Sequence, residues 1–172
     1  GAVAAGINGI DGNLFVAERK DSRLGFVGEV TQINPGLIKS LQSEGYVPVV
    51  APLARGEDGD AYNLNADTAA GVLASALGAS KLVYLTDVEG LYRDLGDQNS
   101  LIGRITSSEL QDLIEGGSVS AGMLPKLRSC IGALESGVER VHILDGRMQH
   151  AVLLEIFTPE GIGTMITEHP VP

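Results

Sequence analysis

Lys126 stands where ordinary helix electrostatics would not put a cation. The stretch Gly122-Met123-Leu124-Pro125-Lys126 reads as a helix entrance, with Pro125 in the first turn, where a missing N–H costs nothing. That turn carries partial positive charge, so a lysine in it is unfavourable by roughly 0.3–1 kcal/mol. An anion resolves the conflict, and a phosphate would use both the helix end and the ammonium. A solvated surface lysine is the plain alternative. A second polar cluster is Asn63-Leu64-Asn65-Ala66-Asp67. Asn65 suits an N-cap and Asp67 a first turn, which leaves Asn63 unexplained. Carboxamides crowded at one helix entrance can hold a small polar ligand, and an acid can orient a lysine. The third candidate is the run Lys81–Gly90, apolar and then ending in Thr86-Asp87 before a glycine turn. Ligands of open α/β sheets bind outside the carboxyl ends of strands, though a simple strand-end turn uses the same residue types.

The elements that must position these groups follow from periodicity. Met123, Leu127, Cys130, Ile131 and Leu134 recur at helical spacing and predict a helix over 123–136 with that face buried. Ala66, Ala69, Ala70, Leu73, Ala74 and Leu77 predict a second over 67–77. Further helices are expected from Pro35 to about Glu44, over 107–115 with Thr106 or Ser107 as cap, and over 150–157. Strands are expected at 1–5, 14–17, 27–33, 46–51 (buried), 81–86, 141–144 and 163–166, with 18–27 and 55–60 as polar loops. Alternating strands and helices imply parallel pairing in a three-layer αβα sandwich. A boundary is expected near Leu77–Ser80, separating residues 1–78 from 79–172.

Composition narrows the function. The 172 residues carry a net charge of −10, which repels a nucleic-acid backbone. ATP is not excluded, because it needs only a local cationic pocket. Hydrophobic residues make up 44% of the chain, so it buries a core. The single cysteine, Cys130, falls on an apolar helix face and reads as a buried, inert thiol. Three histidines without ligand spacing give no metal site, and no run is long and apolar enough to span a bilayer. A reducing, cytoplasmic compartment is the default expectation.

Taken in order and spacing, the stretches 63–67 (NLNAD), 84–92 (YLTDVEGLY), 116–126 (GGSVSAGMLPK) and the tail from HILDGR to HAVLLEIFTPEGIGT (142–164) resemble the amino-acid kinase family, and within it the acetylglutamate kinases. The resemblance implies that family's α/β fold, with a mainly parallel sheet. It also implies ATP-dependent phosphorylation of the side-chain carboxylate of N-acetyl-L-glutamate, the second step of arginine synthesis, with Mg²⁺ screening the phosphates. Lys126 would contact the phosphates and Asp67 would orient it. Asn63 and Asn65 would hold the substrate. Thr86, Asp87, Gly90, Leu91, Ser118, Val119, Ser120 and Met123 would line the nucleotide pocket. His142, Glu155 and Gly161 match residues that hold inhibitory L-arginine in arginine-sensitive members, which assemble as dimers or as hexamers of dimers.

The family also has an N-terminal portion bearing a lysine, a glycine-rich turn and a substrate arginine. No equivalent is visible in residues 1–62, so the chain is expected to be the end of a substrate lobe (1–78) followed by the nucleotide lobe (79–172), and inactive alone. Two other readings stay open. The chain could be a non-catalytic module that binds nucleotide or arginine, or part of a related small-acid kinase such as glutamate 5-kinase.

Overall fold

The computed structural model describes residues 1–94, 96–117, 119–120, 122–158 and 161–170, with Gln98 described by its backbone only. The chain divides into two compact units, Gly1–Leu77 and Gly78–Pro172.

In the first unit, strand β1 (Val3–Asn8) pairs in parallel with β4 (Tyr46–Ala51). A separate four-stranded sheet has the order β3-β2-β5-β6, formed by β2 (Phe15–Arg19), β3 (Gly28–Ile33), β5 (Leu53–Gly56) and β6 (Ala61–Asn63). Helices α1 (Gly36–Ser43) and α2 (Ala66–Leu77) complete the unit. Leu14, Phe15, Ala17, Ile38, Ala54, Tyr62, Leu64 and Ala69 form its core, with Leu73 and Leu77 of α2 packed against it. Arg19 lies over the rings of both Phe26 and Tyr62 and reaches Asp60 at 3.6 Å.

Strand β4 departs from expectation. Its apolar run predicts burial on both faces, yet Tyr46 and Val47 are exposed and Val49 is 57% exposed. Side chains alternate across a strand. Pro48 and Val50 are the half-buried set, on the face that meets α1, and the opposite face is open. The expected polar loop at 55–60 is instead the end of β5 and a tight turn into β6, which pair antiparallel.

In the second unit the sheet order is β7-β9-β10-β8, built from β7 (Lys81–Thr86), β8 (Arg104–Thr106), β9 (Arg140–Asp145) and β10 (Thr164–Thr167). β7 runs parallel to β9, and β10 parallel to β8 but antiparallel to β9. Helices α3 (Ser107–Glu115), α4 (Leu124–Glu135) and α5 (Ala151–Phe157) accompany the sheet. Thr106 caps α3 in a reciprocal box with Glu109, as the T-x-x-E spacing dictates. α4 buries Leu127, Cys130, Ala133 and Leu134, and Cys130 is a free, buried thiol. The sheet's own core is Val141, Ile143, Leu144 and Ile166.

Candidate nucleotide site and buried carboxylate

Successive residues of a strand point to opposite faces, so Leu82, Tyr84 and Thr86 share one face of β7. Leu82 and Tyr84 are buried, and the Tyr84 hydroxyl lies 2.9 Å from Ser129 Oγ on α4. That contact lays α4 over this face. Lys126, in the first turn of α4, places Nζ 4.8 Å from the centroid of the Tyr84 ring. Thr86 stands two residues further on, about 7 Å along the strand at ordinary strand rise. α4 leads into β9, whose first residue, Arg140, lies opposite Lys81 at the start of β7, so the entrance of α4 lies toward the carboxyl end of β7.

The ring changes the electrostatic reading of Lys126. A cation over a tyrosine face gains roughly 0.5–2 kcal/mol, comparable with the cost of a lysine at a helix N-terminus. The ammonium is thus accommodated by the protein itself, and its position does not by itself require an anion. In the sequence, Tyr84 counts as a strand former and as the first residue of the 84–92 stretch, with no role at the site. The missed signal is an aromatic two positions before a Thr-Asp strand end.

Strands β7 and β9 end side by side, with Thr86 opposite Asp145, and Gly146 N donates to Thr86 O at 2.8 Å. Thr86 Oγ1 is 3.3 Å from Asp87 Oδ1. Asp145 accepts from Arg147 Nε and Nη2, each at 2.9 Å, and from the Arg147 backbone N–H at 2.9 Å. The guanidinium holds the Asp145 carboxyl below the ordinary carboxylate value, and the pairing raises Arg147. Asp87 and Glu89 also act on Arg147. Arg147 is a cation at the strand ends that periodicity did not single out, although the Asp-Gly-Arg turn in the tail carries it.

Gly90 and Leu91 are buried. A Cβ on Gly90 would stand 2.5 Å from Thr164 Oγ1, so packing alone demands glycine there. Leu91 N donates to Thr164 Oγ1 at 2.8 Å, and that hydroxyl donates to Ile102 O at 2.7 Å. Val119 is half-buried, Ser120 is exposed, and Met123 N donates to Ser120 O at 3.0 Å at the entrance of α4. Ser118 lies outside the described residues.

Three other singled-out residues lie in the first unit. Asn65 caps α2, its Oδ1 accepting from Thr68 N at 3.0 Å and Thr68 Oγ1 at 3.2 Å, so its carboxamide oxygen serves the helix. Asn63 is an exposed β6 residue whose N–H donates to Phe26 O at 2.8 Å. Asp67 falls in the first turn of α2, where a carboxylate is favourable.

His142, Glu155 and Gly161 meet in the second unit. Glu155 is buried in α5. With the carboxylate ionised and acceptor-only, His142 Nδ1–H donates to Oε1 at 2.7 Å. Oε2 accepts from Ile162 N at 2.7 Å and Gly163 N at 3.1 Å. Burial pushes the Glu155 carboxyl up, but the Ile162, His142 and Gly163 donors outweigh it and hold it below the ordinary value. Gly161 has a φ of +67°, and a Cβ there would lie 2.8 Å from Glu155 Oε2. Left-handed φ and close approach both select glycine. The buried His142 Nε2 has no partner among the described residues. The carboxylate is therefore an internal clasp joining β9, α5 and the α5–β10 connection, not a solvated helix residue.

The second unit is thus an α/β unit whose parallel strands β7 and β9 end in hydroxyl and carboxylate groups beside Arg147, where ligands of open α/β sheets bind. The amino acid kinase family model matches residues 2–145, and the chain belongs to that family. The acetylglutamate kinase of Caldanaerobacter subterraneus subsp. tengcongensis is 51% identical over 168 residues, covering 96% of this chain and 56% of that protein. The chain thus spans little more than half the length of that relative. An N-acetylglutamate synthase from Neisseria gonorrhoeae, solved with coenzyme A and N-acetyl-glutamate, superposes with a TM-score of 0.85 at 28% identity, over 99% of this chain and 39% of that one. The same synthase with coenzyme A and L-arginine gives 0.81 at 27%, over 98% and 38%. Carbamate kinase from Giardia lamblia bound to AMP-PNP shares the fold, with a TM-score of 0.66 at 23% identity over 82% and 46%. Among the described residues no helix is long and apolar enough to cross a membrane, and no three potential ligands cluster to hold a metal.

Proposed function

We propose that the chain is the end of the substrate lobe followed by the nucleotide lobe of an enzyme that phosphorylates the side-chain carboxylate of N-acetyl-L-glutamate from ATP. The observation that carries the reading is 51% identity, across 96% of the chain, to a protein named acetylglutamate kinase. The site chemistry is compatible. Lys126, supported by Tyr84, supplies positive charge where a transferring phosphoryl group accumulates negative charge. The turn from Thr86 through Leu91 offers a hydroxyl and backbone groups to the nucleotide, and Met123, Val119 and Ser120 flank the α4 entrance. Mg²⁺, arriving with the nucleotide, would supply charge neutralisation. Asn63, Asn65 and Asp67 belong to the substrate side in this reading, in the first unit.

The 172 residues alone do not complete a turnover in this reading. Phosphoryl transfer is positioning and charge neutralisation, and residues 1–62 match no glycine-rich cradle. L-Arginine is the proposed regulator at His142, Glu155 and Gly161. The clasp supports this, because a carboxylate is the natural partner of a guanidinium. A structural neighbour solved with L-arginine adds to it. A homo-oligomer, either a dimer or a hexamer built from dimers, completes the proposal for the full-length enzyme.

ADP release is the test, measured with ATP, Mg²⁺ and a panel of acetylglutamate, glutamate and aspartate. It is run on this chain and on a polypeptide of the relatives' full length. Acetylglutamate-dependent turnover in the longer polypeptide alone is expected. Equal preference for glutamate would overturn the substrate, and turnover by the short chain at about 1 s⁻¹ or more would overturn the placement of the catalytic groups.

A further inference from the structure

The hydroxyl of Thr164 replaces a hydrogen bond that two segments do not make directly. Ile102 N donates to Leu91 O at 2.7 Å. The reciprocal pair, Leu91 N–H and Ile102 C=O, is bridged by Thr164 Oγ1, which accepts from the first at 2.8 Å and donates to the second at 2.7 Å. Thr164 is fully buried. Gly90 packs against the same oxygen. One hydroxyl thus sets the height of the 90–91 turn above the sheet.

The peptide leading into Thr164 is fixed from its other side. Glu155 Oε2 accepts from the backbone N–H groups of Ile162 and Gly163. Gly163 has no room to shift sideways, since a Cβ on it would meet Ile143 O. The clasp holds residues 162 and 163, and Thr164 is the next residue. No flexible side chain intervenes between the carboxylate and the hydroxyl. The two hydrogen-bonded groups share one stretch of backbone.

We propose that Thr164 is a positioning residue for the Gly90–Leu91 turn, and that the Glu155 carboxylate controls that position through Ile162 and Gly163. The site at His142, Glu155 and Gly161 and the nucleotide turn are then mechanically one device. A ligand that competes for Oε2 frees two amides, lets Thr164 move, and loosens Leu91. Restoring the clasp tightens it. The nucleotide part of this inference rests on the reading of residues 86–91 given under Proposed function, whereas the link between Glu155 and Leu91 does not.

The test compares wild type with Thr164→Val, Thr164→Ser, Glu155→Gln and the Thr164→Val/Glu155→Gln pair. Amide hydrogen exchange at Leu91 is read against Tyr84 of β7 in the same unit, so that global destabilisation cancels. AMP-PNP affinity is measured by calorimetry. Thr164→Val, which keeps the shape and loses the hydroxyl, is expected to accelerate Leu91 exchange about 10-fold relative to Tyr84 and to weaken AMP-PNP about 10-fold. Thr164→Ser should restore both. Glu155→Gln should accelerate Leu91 as well as Ile162 and Gly163, and should add nothing at Leu91 once Thr164 is valine. Leu91 exchange unchanged in Thr164→Val would overturn the positioning role. Acceleration confined to Ile162 and Gly163 in Glu155→Gln would overturn the coupling. Failure of wild type to bind AMP-PNP would remove the nucleotide reading, and Leu91 exchange would still decide the link.

Discussion

Replacing Tyr84 by leucine removes the surface on which Lys126 rests. The ammonium lies 4.8 Å from the ring centroid, inside the range in which a cation over tyrosine gains roughly 0.5–2 kcal/mol. Lys126 is half-buried and Tyr84 only 5% exposed, so partial desolvation favours the upper part of that range. If the ring holds Lys126 where charge develops in the transition state, about 1–2 kcal/mol corresponds to a turnover loss of about 5- to 30-fold. KM for ATP should change less. Tyr84→Phe keeps the ring and loses the hydroxyl with its contact to Ser129, so its turnover should stay within about 2-fold of wild type if the ring is what matters. In a Lys126→Ala background, Tyr84→Leu should cost nothing further, because two residues acting through one interaction are not additive. The assay is ADP release in a polypeptide of the relatives' full length, with thermal melting to confirm folding. Phenylalanine as damaging as leucine would show that the hydroxyl, not the ring, matters. Additive losses in the double variant would show that Tyr84 does not act through Lys126, and normal turnover in Lys126→Ala would remove the lysine from the mechanism.

Leu127, fully buried in α4, should cost about 2–5 kcal/mol when cut to alanine, read as a lower urea midpoint at unchanged m-value. Thr106→Ala dissolves the capping box at α3 and should cost about 1 kcal/mol by the same measurement. Calorimetric titration with L-arginine should show affinity weakened by about 1–3 kcal/mol in Glu155→Gln, and unchanged affinity would remove that site. The Glu155 carboxyl is held below its ordinary value of 4.5, so its stabilisation is complete above that value and is lost as pH falls through the lower folded value. The stability gap between wild type and Glu155→Gln should therefore be constant above about pH 5 and shrink in more acid solution, followed by denaturant melts across pH.

Where one face of an element repeats at a clear period, the sequence alone was sufficient. α4 shows this, with proline in its first turn and Leu127, Cys130 and Leu134 at helical spacing. So do α3, whose cap is written as Thr106 and Glu109, and β7, a short apolar run closed by Thr-Asp. Strands β6 and β8, with three residues each, are too short to establish a period. β4 misled because apolar composition reports what a face can bury, not what covers it. The site was legible in its local parts and not in its long-range ones. Thr164 bonds to Leu91, 73 positions away, and nothing in the spacing of a threonine announces such a partner. Glu155 reads as a surface residue of a short helix until β9 and the 161–163 turn are folded against it.

The two ionic groups at the centre of this reading, Lys126 and Glu155, are satisfied by the chain in opposite ways. Lys126 rests on a π face, and its contact with the ring is not a directional hydrogen bond. Its position is prepared before any anion arrives, which lowers the reorganisation needed when charge develops. Glu155 accepts from three directional donors, and a bidentate guanidinium would compete with at least one of them. An anion at Lys126 would meet a non-directional ring contact, whereas a ligand at Glu155 would compete with directional hydrogen bonds. Only the second kind of contact can carry a conformational signal, since a ligand shifts an equilibrium only by its differential affinity for two states. That difference supports the proposed division, with catalysis at the helix entrance and control at the buried carboxylate.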